Sequence, residues 1–121
     1  MTYKVLILFN VRKARNKKMD DTRYQLAFQI ILHAGNSKSK SMIAMKKARA
    51  GEMDEAAELI ALAHEDLNQA HLIQATLSQA EICGEPVDMN IIMVHAQDHL
   101  GMAIVMSEVA EEILHIYKTF R

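Results

Sequence analysis

Residues 89–117 read MNIIMVHAQDHLGMAIVMSEVAEEILHIY, and this stretch decides the fold. It holds no proline, and its apolar residues recur at intervals of three and four, the spacing of a helix face. At about 100° per residue, Ile91, Ile92, Val94, Ala96, Met102, Val105, Met106, Val109, Ala110 and Ile113 make one broad apolar arc. Met93, Leu100 and Ile104 fall on the opposite side. A helix that is apolar nearly all round is buried on all sides. Its first half is therefore expected to pack against other subunits as well as its own bundle, and the burial of Met93, Leu100 and Ile104 rests on that assembly.

Upstream, Ile82 to Asp88 contains Gly84 and Pro86 and reads as a loop. Before it, Ala56, Ile60, Ala63, Leu67, Ala70 and Leu77 mark a second helix from about Met53 to Glu81, with Asp54, Glu55 and Glu58 suiting its N-terminal dipole. Gly51 has the character of a residue just past a helix end. A first helix, capped by Asp20 or Asp21, precedes it, with Tyr24, Phe28, Ile31, Ala34, Met42, Met45 and Ala48 as its apolar positions and Ser37, Lys38 and Ser41 interrupting the stripe. Helices of this length run to about 40–45 Å each. Joined by short breaks, they predict an all-α, antiparallel three-helix bundle.

Residues 20–121 form the expected domain, and residues 1–19 are set apart as an N-terminal extension. Residues 1–18 read as a basic tail, a short strand-like appendage, or sequence ahead of a start at Met19. Their apolar run, Val5 to Phe9, precedes the basic residues, which is the reverse of a secretory signal, and it is too short to span a membrane. No direct membrane insertion is expected.

Composition narrows the function. Half the chain is hydrophobic but only 5% is aromatic, a profile that favours helix. The net charge of -1 argues against nucleic-acid binding, which needs a basic excess. The one cysteine, Cys83, allows neither an internal disulfide framework nor a cysteine-rich zinc site, and fits the reducing cytoplasm. As a loop residue it carries no assigned chemistry.

His95, Asp98 and His99 lie within the apolar arc of the third helix, where unpaired polar groups are costly. One histidine there reads as an ordinary satisfied core residue. Three polar groups within five positions call for more: pairing with His71 or Gln74 of the second helix, a metal ion, or a nucleophile. A metalloprotease block is excluded, because Ala96 stands where its glutamate must be. Glu112 and His115 have the Glu-x-x-His spacing of di-iron bundles but form a lone pair. As a nucleophile, the neutral imidazole of His95 would attack phosphorus and hold the group as phosphohistidine. Gln97 and His99 would then orient that ring or contact phosphoryl oxygens. If the oligomer were three-fold, three Asp98 carboxylates would repel on the axis unless a divalent cation or protons neutralised them.

The stretch Ile91-Ile92-Met93-Val94-His95-Ala96-Gln97-Asp98-His99-Leu100 resembles the signature of the lactose/cellobiose (diacetylchitobiose) family of enzyme IIA components of the bacterial sugar phosphotransferase system. Ile30 to Ser39, Ala48 to Ala56 and Asn68 to Gln74 resemble its first helix, first turn and second helix. The likeness implies a homotrimer whose His95 accepts phosphate from the phosphocarrier HPr and donates it to a cysteine of enzyme IIB, during uptake of a disaccharide of the lactose, cellobiose or chitobiose class. It implies that Asp98 and its symmetry mates hold a metal ion, magnesium, inside the trimer, and that Gln97 and His99 support the site. Gly101-Met102, Ser37 and Glu52 depart from the family's usual residues without removing a group that phosphoryl transfer needs. Two alternatives stand beside it: a trimeric, metal-stabilised interaction protein without carrier activity, and a helical metal enzyme binding an ion through His95 and His99.

Overall fold

The computed structural model describes residues 22–120. Regular structure among them consists of α1 (Thr22–Arg49), α2 (Met53–Ile82) and α3 (Ile91–Thr119). The N-terminal extension and the expected cap at Asp20 or Asp21 lie outside the described residues. α1 and α2 end as glycine punctuation dictates. Gly51 (φ 87°) and Gly84 (φ 82°) take the left-handed conformation that glycine adopts without steric cost. At each end the glycine N–H and the next N–H return to helix carbonyls: Gly51 to Ala48 and Glu52 to Lys47, Gly84 to Glu81 and Glu85 to Ala80. This is the Schellman closure of otherwise orphaned carbonyls.

Cross-helix pairs fix the directions. Moving back along α1 from Lys47 to Lys40, the partner on α2 moves forward from Glu55 to Asp66. Moving back along α2 from Gln74 to His64, the partner on α3 moves forward from Gln97 to Glu111. Each neighbouring pair is therefore antiparallel, as expected, and α3 runs in the direction of α1. Lys47 also reaches Glu52, at 2.9 Å, and the two carboxylates, Glu55 first, raise its pKa. Glu52 makes no side-chain cap bond to α2.

The buried seam of α1 is Ala27, Ile30, Ala34, Ser37, Ser41, Ala44 and Ala48, spaced alternately three and four. α2 contributes Ala56, Ala63, Leu67, Ala70 and Leu77, and α3 contributes Met93, Ala96, Leu100, Ala103, Ser107 and Ala110, on the same rhythm. A period near 3.5 is that of left-handed coiled-coil packing. The α2 seam is the stripe read from the sequence except for Ile60, which is half-buried.

Two other expectations are corrected. On α1, Phe28 and Met42 point outward (44% and 38% exposed), whereas Ser37 and Ser41 are fully buried seam residues and no interruption. Small side chains let the helices approach closely, and bulky ones do not fit between them. On α3, Met93 and Leu100 are buried by the chain's own bundle and Ile104 is partly buried there, so their burial does not depend on other subunits. Part of the broad arc is instead left open: Ile91, Val94, Met102, Val105 and Val109 are exposed, while Ala96 and Ala110 at its edge are buried in the seam. α3 also starts two residues later than expected. Asn90 caps it, its Oδ1 accepting from the Met93 N–H at 2.9 Å.

The Ser37 and Ser41 hydroxyls are buried without a hydrogen-bond partner. An unpaired buried hydroxyl costs about 1–3 kcal/mol. Ser37→Ala is expected to stabilise the chain by roughly 1 kcal/mol, read as a higher urea midpoint at unchanged m-value.

α1 packs along both other helices, whereas α2 and α3 touch each other far less. Between them opens a pocket of about 190 Å³, lined by residues including Gln74, Leu77, Met93 and Gln97. The main hydrophobic cluster joins Ile30, Leu67, Leu77, Met93 and Leu100, and so braces the half of α3 that carries the site.

Candidate functional site

Asn90 starts α3 and, by fixing its first turn, sets the angular position of every side chain that follows. Met93, Ala96 and Leu100 turn inward to the seam. His95 and Asp98, between them, are left exposed, and His99 is half-buried. The four-residue spacing stacks the two imidazoles on one side of the helix. Their Nε2 atoms lie 3.1 Å apart, a hydrogen bond whose direction depends on tautomer, and the rings meet edge to face with centroids 4.4 Å apart. The other nitrogen of His99, Nδ1, is buried with no partner. His95 thus presents an exposed imidazole, with His99 within hydrogen-bond distance of its Nε2.

Gln97 is not brought to His95. Two residues on, it lies about 200° round the helix. Its Nε2 donates to Gln74 Oε1 at 2.7 Å and contacts Met93 Sδ at 3.6 Å, tying α3 to α2 across the pocket. Gln74, expected as a partner of His95, Asp98 or His99, pairs with Gln97 instead. His71 is exposed on α2. Ile91, Val94, Asp98, Met102, Val105 and Val109 recur at three and four along the exposed face of α3, so Asp98 sits within an apolar row.

A metal enzyme built on His95 and His99 needs a third protein ligand. Among the described residues, no three His, Cys, Asp or Glu side chains gather closely enough to hold an ion. Cys83 caps the C-terminal end of α2, exposed, with Gln79 Nε2 donating to its Sγ at 3.4 Å.

Comparison with known proteins meets this geometry. The family model of the lactose/cellobiose-specific IIA subunit of the phosphotransferase system matches residues 25–118, and so takes in all three helices and the histidine pair. The chain belongs to this IIA family. The lichenan-specific phosphotransferase enzyme IIA component of Bacillus subtilis (strain 168) is 42% identical over 100 residues, covering 83% of this chain and 91% of that protein. The oligo-beta-mannoside-specific IIA component of the same strain is 39% identical over 98 residues, covering 81% and 89%. The crystal structure of the cellobiose-specific enzyme IIA from Bacillus anthracis superposes with a TM-score of 0.82 at 40% identity, covering 86% of this chain and 95% of that one. As a IIA subunit the chain is a phosphotransferase component of sugar transport. No helix among the described residues is long and apolar enough to cross a membrane. The relatives' names differ in their sugar: lichenan, oligo-beta-mannoside and cellobiose.

Proposed function

We propose that this IIA subunit carries a phosphoryl group on His95, taking it from the phosphohistidine of HPr and passing it to a cysteine of enzyme IIB, in the cytoplasm, for import of a β-linked disaccharide or short oligosaccharide. The observation that supports this best is the exposed His95 imidazole, hydrogen-bonded by His99 on a rigid helix of a IIA fold. A lone pair on His95 attacks phosphorus, the bond from phosphorus to the donor's imidazole breaks, and the donor nitrogen keeps the electron pair. In the second transfer the thiolate of the partner cysteine attacks, and His95 regains its lone pair. Neither step needs a proton delivered by this chain, so an exposed and well-oriented ring suffices.

The active form is a homotrimer. One chain exposes two apolar faces: the α3 row, and Phe28 and Leu32 on the outer side of α1. At Gly35, beside Leu32, an added Cβ would meet nothing within 4 Å in the single chain, leaving space for a neighbour. Asp98 is a single carboxylate set in the α3 row, which fits a shared site better than a private one. Three copies around an axis give the oxygen-only ligand set that magnesium prefers, and the ion's part is to neutralise them.

Enzyme I, HPr and labelled phosphoenolpyruvate test the carrier role. The expected result is stoichiometric labelling of this chain as an acid-labile, base-stable phosphate that transfers onward to a IIB protein. No labelling with active HPr would refute it. Sedimentation at micromolar concentration tests assembly, with three times the chain mass expected.

A further inference from the structure

The two nitrogens of His99 have unequal surroundings, and this difference reaches His95. Nδ1 of His99 is buried without a partner, while Nε2 lies 3.1 Å from Nε2 of His95. His99 has two neutral forms. With the proton on Nδ1, a buried N–H would face no acceptor, a situation folded proteins rarely tolerate. With the proton on Nε2, the buried nitrogen keeps only an idle lone pair, and the N–H has an acceptor in reach. The second form costs less.

We infer that His99 is a positioning residue: it donates its Nε2–H to Nε2 of His95 and so fixes His95 as the Nδ1–H tautomer. His95 can accept this bond only with a lone pair on Nε2, and its proton then sits on Nδ1 of an exposed ring, free to bond water. An exposed histidine without such a donor ordinarily favours the Nε2–H form, so His99 inverts the usual preference. The arrangement also limits rotation of the His95 ring, since turning it over would break the bond.

The role in phosphoryl transfer rests on His95 being the acceptor proposed above. Nε2 then carries the nucleophilic lone pair. As the bond from Nε2 to phosphorus forms and the donor's nitrogen–phosphorus bond breaks, the His99 N–H exchanges its nitrogen acceptor for a phosphoryl oxygen. His99 keeps its proton throughout. It holds the lone pair in one orientation before transfer and binds the transferred group afterwards.

Nitrogen-15 NMR of the histidine rings tests this without any phosphorylation. The measurement is made about two units above the ordinary histidine pKa of roughly 6.5, where the free rings are neutral. In the native chain, His95 is expected to show its protonated-nitrogen signal at Nδ1. In His99→Ala it is expected to shift to the Nε2–H form, and in His99→Gln, whose amide N–H replaces the donor, to return toward Nδ1–H. A native His95 protonated at Nε2, or the same tautomer in native and His99→Ala proteins of equal helicity, would overturn the assignment. Labelling by phospho-HPr is then expected to slow by about fivefold in His99→Ala, the size of one ordinary hydrogen bond, with recovery in His99→Gln. An unlabelled His95 with the expected tautomers would refute the carrier role while leaving the tautomer assignment standing. Equal labelling rates in all three proteins would remove His99 from the transfer.

Discussion

His95→Ala is expected to abolish phosphoryl labelling by phospho-HPr, lowering it by more than about 10³-fold, the scale on which loss of a nucleophile removes a covalent step. The size follows from the chemistry. The phosphoryl group must be bonded to something between donor and acceptor, and alanine offers no lone pair. The other histidines do not substitute: His33, His64, His71 and His115 stand elsewhere on the bundle, and His64 is engaged by Glu111 at 2.6 Å. His99 is next to the site, but its only accessible nitrogen faces the position the missing ring held. The fold is expected to stay intact, because an exposed side chain outside the seam changes stability by no more than about 0.5 kcal/mol. Labelling and circular dichroism on the same preparation separate the two effects. Label persisting in the alanine variant would remove His95 from the relay, and its appearance on another histidine would relocate the site.

Much of this site is legible in the sequence because spacing alone defines it. Histidines four apart on a helix lie on one face, and in the structure their rings meet edge to face. Gln97 shows where adjacency misleads. It belongs to the same five-residue block, yet the helix turns it toward α2, where it bonds Gln74. The buried, partnerless Nδ1 of His99 has no sequence signature, since it depends on how the folded chain covers the ring.

The fold divides in the same way. Three helices, their order and both glycine stops follow from the pattern of apolar residues and breakers. Which face turns inward was harder to read, for two physical reasons. Ranking by hydrophobic bulk favours Phe28 and Met42, whereas closely packed helices select Ala27, Ala34 and Ser37. In addition, a wheel drawn at 3.6 residues per turn drifts by about 20° per heptad from a seam that repeats every 3.5. Over the length of α3 that drift moves inward residues toward the edge of the apolar arc. The bulky residues are still informative: left outside the bundle, they mark the surface that a neighbour would cover.

Val105→Glu is expected to convert the proposed trimer to monomers while leaving each chain helical. In the single chain Val105 is 59% exposed, so a carboxylate there has water and the fold tolerates it. In the trimer the same position would be buried three times over. Each replacement forfeits about 1.5–3 kcal/mol of valine burial, and an unpaired buried carboxylate costs several kcal/mol more. Two turns earlier on the same face, Asp98 is a carboxylate that the proposed trimer would have to accommodate. Carboxylates about 4 Å apart repel by roughly 4 kcal/mol per pair at a surface-like dielectric, and a three-fold axis makes three pairs. Assembly with Asp98 therefore requires a counter-charge, whereas Val105 offers no oxygen ligands that would recruit one. Removing the proposed ion with EDTA is expected to lower the thermal stability of the proposed trimer, and Asp98→Asn, which removes the charge, is expected to make that trimer indifferent to EDTA. Sedimentation of the Val105→Glu chain and melting curves with and without magnesium measure both effects. A trimeric Val105→Glu protein would mean that this row faces solvent and the subunits meet elsewhere, while EDTA sensitivity persisting in Asp98→Asn would place the ion on other residues.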